Sequence, residues 1–162
     1  SGINLGPNAG ISVLYSGTVS GATEGAILGV PSIAFSLGTF HDPIWDTGAQ
    51  VARQVVERFH DADLPDECVL NVNIPNLPYQ EIKGFKTVPI APSRYVEEFD
   101  ARTDPRGNAY FWMDGMLTLT GEDRENDVGQ MRDGYVTLTP LHFDLTHYAA
   151  MDRLRAWDLG SA

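Results

Sequence analysis

Asn4 closes a short run, Ser1-Gly2-Ile3-Asn4, that reads as the tail of a strand. A side-chain amide oxygen at that place is a hard ligand suited to Mg²⁺ or Mn²⁺. Further on, Tyr15-Ser16-Gly17-Thr18-Val19 stands at the start of a helical pattern. Two hydroxyls, a glycine without a side chain and the free N–H groups of a helix amino end make an anion site. Each feature also has a structural reading. An Asn at a strand end is a common turn residue, and Ser16 can serve simply as a helix cap.

Other chemistries find less footing. The four histidines, His41, His60, His142 and His147, form no His-x-x-x-His pair and no Cys/His cluster, which argues against zinc. His142 and His147 lie near the last helix and read as surface or interface residues. Composition does not exclude a Ser/His/Asp triad, but there is no Gly-x-Ser-x-Gly elbow. Neither a P-loop nor a dinucleotide fingerprint is present. Cys68 is the single cysteine and precedes Val69-Leu70, so it reads as a small core residue. With no disulfide available within the chain, a reducing cytoplasm is the simplest setting.

The elements that must hold these residues follow from patterning. Residues 2–10 form a Gly-, Asn- and Pro-rich loop. A helix over 16–29, rich in small residues, should pack closely on a sheet, with Gly29 as its carboxyl cap before Pro31. Residues 32–37 read as a buried parallel strand. A helix over 43–60 follows, capped by Asp42 with Pro43 in its first turn. Ala49, Ala52, Val55, Val56 and Phe59 form its apolar stripe. Residues 68–74 read as a strand closed by Pro75. The order helix–strand–helix–strand predicts a parallel sheet with helices outside.

After Pro78 the pattern changes. Residues 82–98 and 108–113 are extended runs on either side of the turn signal Asp104-Pro105-Arg106-Gly107, which predicts a long β-hairpin. A hairpin this aromatic is marginal alone and is expected to pack on a partner subunit. The acidic stretch 121–133, with Glu122, Asp123, Glu125, Asp127 and Asp133, is read as a solvated loop. Residues 134–139 form a last strand before Pro140. An amphipathic helix over 146–157 carries Tyr148, Met151, Leu154 and Trp157. The expected division is an α/β core portion over 1–78 and an oligomerisation portion over 79–162.

Composition sets the outer limits. The chain has 162 residues, 43% of them hydrophobic and 20% charged, which suits a folded domain with a core. Its formal net charge of −11 argues against a grip on DNA or RNA, which needs clustered Lys and Arg. It does not exclude a small phosphorylated substrate, which backbone N–H groups and a metal can hold. No apolar run approaches the ~20 residues of a membrane helix, and no signal-peptide pattern opens the chain. The chain opens on a functional-looking loop with no strand to feed it. In open α/β sheets ligands bind beyond strand carboxyl ends, so a truncated protein is expected.

Taken together, five motifs in the right order, the first and last made of several stretches, resemble those of one family. Ser1-Gly-Ile-Asn-Leu-Gly-Pro-Asn-Ala-Gly, Tyr15-Ser-Gly-Thr-Val and Ala22-Thr-Glu-Gly-Ala are similar to the signature of the SurE survival proteins. Pro31-Ser-Ile-Ala-Phe-Ser-Leu and Leu70-Asn-Val-Asn-Ile-Pro resemble its next strands. Asp104-Pro-Arg-Gly-Asn-Ala-Tyr-Phe-Trp resembles its hairpin. Asp127, Gly134-Tyr-Val-Thr-Leu-Thr-Pro-Leu and Asp144-Leu-Thr resemble its carboxyl-terminal signature. The resemblance runs from Ser1 to about Trp157.

That resemblance implies a Rossmann-like α/β three-layer sandwich, truncated at its amino end, with a protruding β-hairpin and a swapping carboxyl-terminal helix. It implies a cytoplasmic phosphatase dependent on a divalent metal, Mg or Mn. Such enzymes hydrolyse nucleoside 5′- and 3′-monophosphates, and some cleave short polyphosphate. The family forms dimers or tetramers through hairpin and helix. Carried over by position, Asn4 matches the metal-binding Asn. Ser16, Gly17 and Thr18 match the phosphate-side loop, and Asn8 falls in the same signature. The family's paired metal-binding aspartates have no counterpart, since no Asp-Asp pair occurs here. The family's metal-binding Ser, some tens of residues after that pair, also belongs to a region without a counterpart here. Ser12 stands where many members have Asp.

In the implied mechanism the metal draws charge from the phosphoryl group and the Ser16–Thr18 loop holds it. One of the aspartates, which this chain lacks, acts as nucleophile or base. The 162-residue chain is therefore expected to be inactive by itself. A non-catalytic oligomerisation module is the alternative, and an unrelated nucleotide-binding α/β domain a third reading.

Overall fold

Two six-residue strands with nearly every residue buried, β2 (Ser32–Leu37) and β3 (Val69–Ile74), form the centre of the molecule. They pair in parallel, Ser32 opposite Val69 through Leu37 opposite Ile74. The computed structural model describes all residues except 60, 121, 122, 158, 159, 161 and 162. β1 (Asn4–Leu5) adds in parallel to one edge of β2. β4 (Phe85–Thr87) and β7 (Val136–Leu141) complete a five-stranded sheet of order β1-β2-β3-β7-β4.

The sheet is mixed where the sequence predicts a parallel one. β7 runs antiparallel to β3 and parallel to β4. The cause is the connection after β3. Only a one-turn 3₁₀ helix, Tyr79–Glu81, lies before β4, and a parallel return needs a crossover of a dozen or more residues. The chain therefore turns back on itself.

Helices cover both faces, giving three layers. α1 (Gly17–Ile27) sits on one face, where Val19, Ala22 and Ala26 pack with Ala34 and Val69. α2 (Trp45–Phe59) sits on the other, where Val51 and Val55 pack with Phe35, Leu37, Val72, Ile74 and Val136. Period-2 alternation along each strand assigns its residues to the two layers. α1 ends as the sequence predicts. Gly29 has φ 75°, its N–H reaches the Ala26 carbonyl, and the Val30 N–H reaches that of Gly25. This double closure satisfies carbonyls that the helix end would leave unpaired. α2 starts at Trp45, with the Ile44 carbonyl accepting from Gly48 N. Asp42 does not cap it. Instead Asn76 Oδ1 accepts from Ile44 N at 2.8 Å, and Asn76 Nδ2 holds the Asp42 carbonyl. His60, the expected last residue of α2, lies outside the described residues.

The predicted hairpin exists as β5 (Ser93–Thr103) and β6 (Ala109–Leu119), an eleven-residue antiparallel ribbon. At its tip Asp104 Oδ1 accepts from Arg106 N and Asn108 N, each at 2.8 Å. The Asn108 side chain, donating from Nδ2 to Asp104 Oδ2 at 3.0 Å, and then these backbone bonds hold the Asp104 carboxyl below the usual range. The run expected over 82–98 is split. Pro89 and Pro92 cannot donate to a ladder, so β4 stays in the main sheet and β5 starts afresh.

The acidic stretch is the clearest correction. Asp123 and Glu125 are exposed, and Glu122 lies outside the described residues. Asn126, however, caps a short helix, α3 (Asp127–Arg132), by accepting from Gly129 N at 2.9 Å. Asp127 is fully buried. α4 (Tyr148–Arg155) closes the chain with no buried residue.

Candidate functional site

The loop between β1 and α1 carries the predicted residues, and its entry is a close backbone approach. Gly2, at φ 112°, would place a Cβ 2.3 Å from the Phe35 carbonyl oxygen, so only glycine fits. Ser1 O accepts from Phe35 N, and Gly6 N donates to Leu37 O at 3.0 Å. This pairing sets Asn4 beside Ser36 at the carboxyl ends of the strands. Asn4 Nδ2 donates to the carbonyls of Leu5 at 3.1 Å and Gly6 at 2.8 Å. Among the described residues no donor reaches its Oδ1. The amide is held by one end and presents the other.

Asn8 is buried and fixed from three sides. Its N–H donates to Asn73 Oδ1 at 2.8 Å. Its carbonyl accepts from Asn73 Nδ2 at 3.0 Å and from Asn71 Nδ2 at 2.8 Å. Its own Nδ2 donates to Ser36 Oγ at 2.7 Å. Asn71 and Asn73 are both fully buried on the α1 face of β3. Asn73 pairs with the backbone of Asn8 as a neighbouring strand would. Ser36 thus lies between Asn4, its register partner, and Asn8, its hydrogen-bond donor.

The next step of the loop is held by Asp127. Its carboxylate accepts from Gly10 N at 2.9 Å, Ala91 N at 2.8 Å and Val128 N at 2.8 Å. Burial pushes its pKa above the usual value, partly offset by these N–H donors, Gly10 first. Ser93 adds a second link: its Oγ accepts from Ile11 N at 2.8 Å and donates to Ala91 O. Gly10 has φ 58°, and a Cβ there would lie 2.3 Å from Ser93 Oγ.

A 3₁₀ turn, Gly10–Tyr15, then delivers the chain to α1. Ser16 is buried, and its Oγ caps the helix by accepting from Val19 N at 3.1 Å. The hydroxyl hydrogen remains free to donate. Gly17 is exposed, and nothing lies within 4 Å of where its Cβ would be. Among the described residues the N–H groups of Gly17 and Thr18 have no acceptor. Since α1 links two parallel neighbours, its amino end stands at the carboxyl edge of the sheet, the edge that Asn4 occupies. The fold therefore brings Asn4, Asn8 and the Ser16–Thr18 turn to one edge. Asn4 and the helix end face outward with unused polar atoms, whereas Asn8 is committed to the scaffold.

Sequence reasoning missed Asn71, Asn73 and Asp127. The signal for the pair was two asparagines two apart inside an apolar strand. For Asp127 the acidic run pointed to solvent, and only its place in the resembled carboxyl-terminal signature set it apart.

The described residues contain no group of three His, Cys, Asp or Glu that could hold a metal. Asn4 Oδ1 suits a hard cation as a single neutral ligand, and alone it does not hold one.

Known proteins show the same arrangement of sequence. The family model for Survival protein SurE matches residues 1–97. The 5′-nucleotidase SurE of Symbiobacterium thermophilum is 42% identical over 159 residues, covering 98% of this chain and 62% of that protein. The 5′-nucleotidase SurE of Synechococcus elongatus is 46% identical over 160 residues, covering 95% and 62%. The crystal structure of the SurE protein from Aquifex aeolicus superimposes with a TM-score of 0.80 at 41% identity. It covers 96% of this chain and 62% of that one. The chain spans about three fifths of the length of these relatives.

Proposed function

The chain belongs to the SurE family, and we propose that it carries the substrate side of a metal-dependent phosphomonoesterase acting on nucleoside 5′- and 3′-monophosphates. The observation that carries this reading is the pairing at one sheet edge. Asn4, whose Oδ1 meets no donor among the described residues, and the Gly17 and Thr18 N–H groups at the start of α1 belong to the same carboxyl edge of the sheet. The amino end of α1 offers two backbone donors, the Ser16 and Thr18 hydroxyls and the positive end of the helix dipole. These groups bind a phosphoryl dianion and orient it, and they strengthen as charge builds on its oxygens.

Asn4 would contribute one neutral ligand to a divalent Mg or Mn, whose acidic ligands lie outside the described residues. When bound, the metal supplies Lewis-acid stabilisation of the phosphoryl oxygens. The catalytic nucleophile or base is likewise not among the residues placed here, so this chain by itself should release no phosphate. Incubation with Mn²⁺ and a nucleoside monophosphate tests that. Phosphate release that disappears in Asn4→Ala would overturn it. Binding is tested separately: titration with inorganic phosphate should shift the Gly17 and Thr18 amide resonances, and unmoved amides would sink the phosphate-site reading.

No helix among the described residues is long and apolar enough to cross a membrane, and the proposed setting is the cytoplasm. Exposed aromatic residues on the β5–β6 arm support assembly into dimers or tetramers. They also keep alive a reading of this chain as a non-catalytic assembly module, which failure of both phosphate tests would favour.

A further inference from the structure

We propose that Asp127 is a positioning residue that couples the site loop to the root of the β5–β6 arm. Three segments distant in sequence converge on one buried carboxylate. Gly10 N comes from the site loop, at 2.9 Å, and Ala91 N from the segment entering β5, at 2.8 Å. Val128 N comes from α3, at 2.8 Å. Gly10 uses Oδ2, and Ala91 and Val128 share Oδ1, so the two ends of the carboxylate serve different segments. Asp127 N itself donates to Pro89 O, which ties α3 to the same arm root.

A second, parallel link makes this a coupling rather than a single anchor. Ser93, the first residue of β5, accepts from Ile11 N and donates to Ala91 O. Adjacent loop residues, Gly10 and Ile11, are therefore each bonded to the arm root by a separate side chain. Ala9, Ala91 and Val128 pack as one buried cluster around these bonds. Beyond its root, the arm is a solvent-exposed ribbon. A force on the arm, such as its docking on another copy, reaches the body at this root, and also where Glu97 and Met113 border Tyr15 at the end of the same loop's 3₁₀ turn. The nearest rigid neighbour is the loop that sets Asn8 and leads into Ser16. Packed, hydrogen-bonded contacts with few voids move together rather than deforming gradually.

Asp127 touches neither substrate nor reacting atoms. Its role in catalysis rests on the phosphatase reading above, but the coupling itself does not, and it can be read without metal, substrate or turnover. Asp127→Asn keeps the size while placing an N–H₂ group where one set of N–H donors now finds an oxygen. The expected result is amide exchange faster by about tenfold or more at Gly10 or Ala91, with α2 amides such as Val51 unchanged. The same variant should shift the Asn4 side-chain and Arg94 amide resonances together, a paired response that a purely local anchor does not give. Ser93→Ala provides the reciprocal test and covers the case in which Asp127→Asn does not fold. Altering the arm root alone should shift Gly10, Ile11 and Asn4. If Ser93→Ala leaves those three resonances unmoved, or if a folded Asp127→Asn disturbs only Val128 and its helix, the coupling is refuted.

Discussion

Asn73 uses both ends of its side-chain amide on a single backbone residue, Asn8, in a fully buried setting. Asn73→Ala would leave a buried N–H without its partner and weaken the hold on the Asn8 carbonyl. Each unsatisfied buried group costs about 1–3 kcal/mol, so a loss of about 2–4 kcal/mol is expected in urea unfolding. Thr137 stands opposite Asn73 with its Oγ1 buried and without a hydrogen-bond partner among the described residues. Thr137→Val removes a group already unpaired and should be neutral or stabilising by about 1 kcal/mol. The opposite sign of the two changes is the check. Equal losses would mean that these two side chains act by packing alone. Exposed Asp144 makes a different residue-level prediction. Hydrogen bonds from Thr146 and Tyr148 lower its pKa to about 2. A depressed carboxyl pKa stabilises the fold above the ordinary value near 3.8 and loses that contribution as pH falls toward 2. The Thr146 amide resonance should therefore keep its neutral-pH position at pH 4 and move only as pH approaches 2, and in Asp144→Asn it should not titrate. A midpoint near 4 would contradict the turn geometry.

At the scale of elements, α1 shows how small residues set the depth of the site. A Cβ on Gly25 would fall 2.4 Å from Ser32 Oγ, which itself donates to Val30 O. Alanine is the better helix former by about 1 kcal/mol, yet Gly25→Ala must displace that hydroxyl or lift the helix. The expected outcome is a net destabilisation that Ser32→Ala relieves, with the double variant as stable as the parent or more so. Additive losses in thermal unfolding would show that the close approach is not the cause. The same helix explains what the sequence disclosed. Its start at Ser16, its Gly29 closure and the two apolar strands were legible because caps and burial are local properties. The reversed β7 was not, because strand direction depends on what the connection after β3 leaves room for. Asp127 was not, because a charge run looks alike whether it meets water or three N–H groups from separate segments. Asn4 was legible as a polar residue at a strand end, whereas the commitment of Asn8 to the scaffold depends on β3 lying beneath it.

At the scale of the molecule, the arm is out of proportion to its support. One face of the ribbon carries Phe99, Phe111 and Met113, and the other carries Val96, Tyr110 and Trp112, all of them exposed. A two-stranded ribbon is at best marginal alone in water, and contiguous exposed apolar surface of this kind marks an interaction site. Arg102 over the Trp112 ring at 5.3 Å covers part of one face. On the other face Phe99, Phe111 and Met113 lie together across the strand pair. Changing Phe99 and Phe111 to Ser removes apolar surface while leaving Met113, which borders Tyr15 of the site loop, in place. If the arm docks on a second copy, the parent chain sediments as an oligomer whose share grows with concentration, and the double variant shifts toward monomer. The amides of Gly10 and Asn4 in the parent should then also change with concentration, since docking would act through Ala91 and Ser93. Concentration-independent sedimentation of the parent would remove the arm as a self-association device while leaving the phosphate edge and the Asp127 coupling to their own tests.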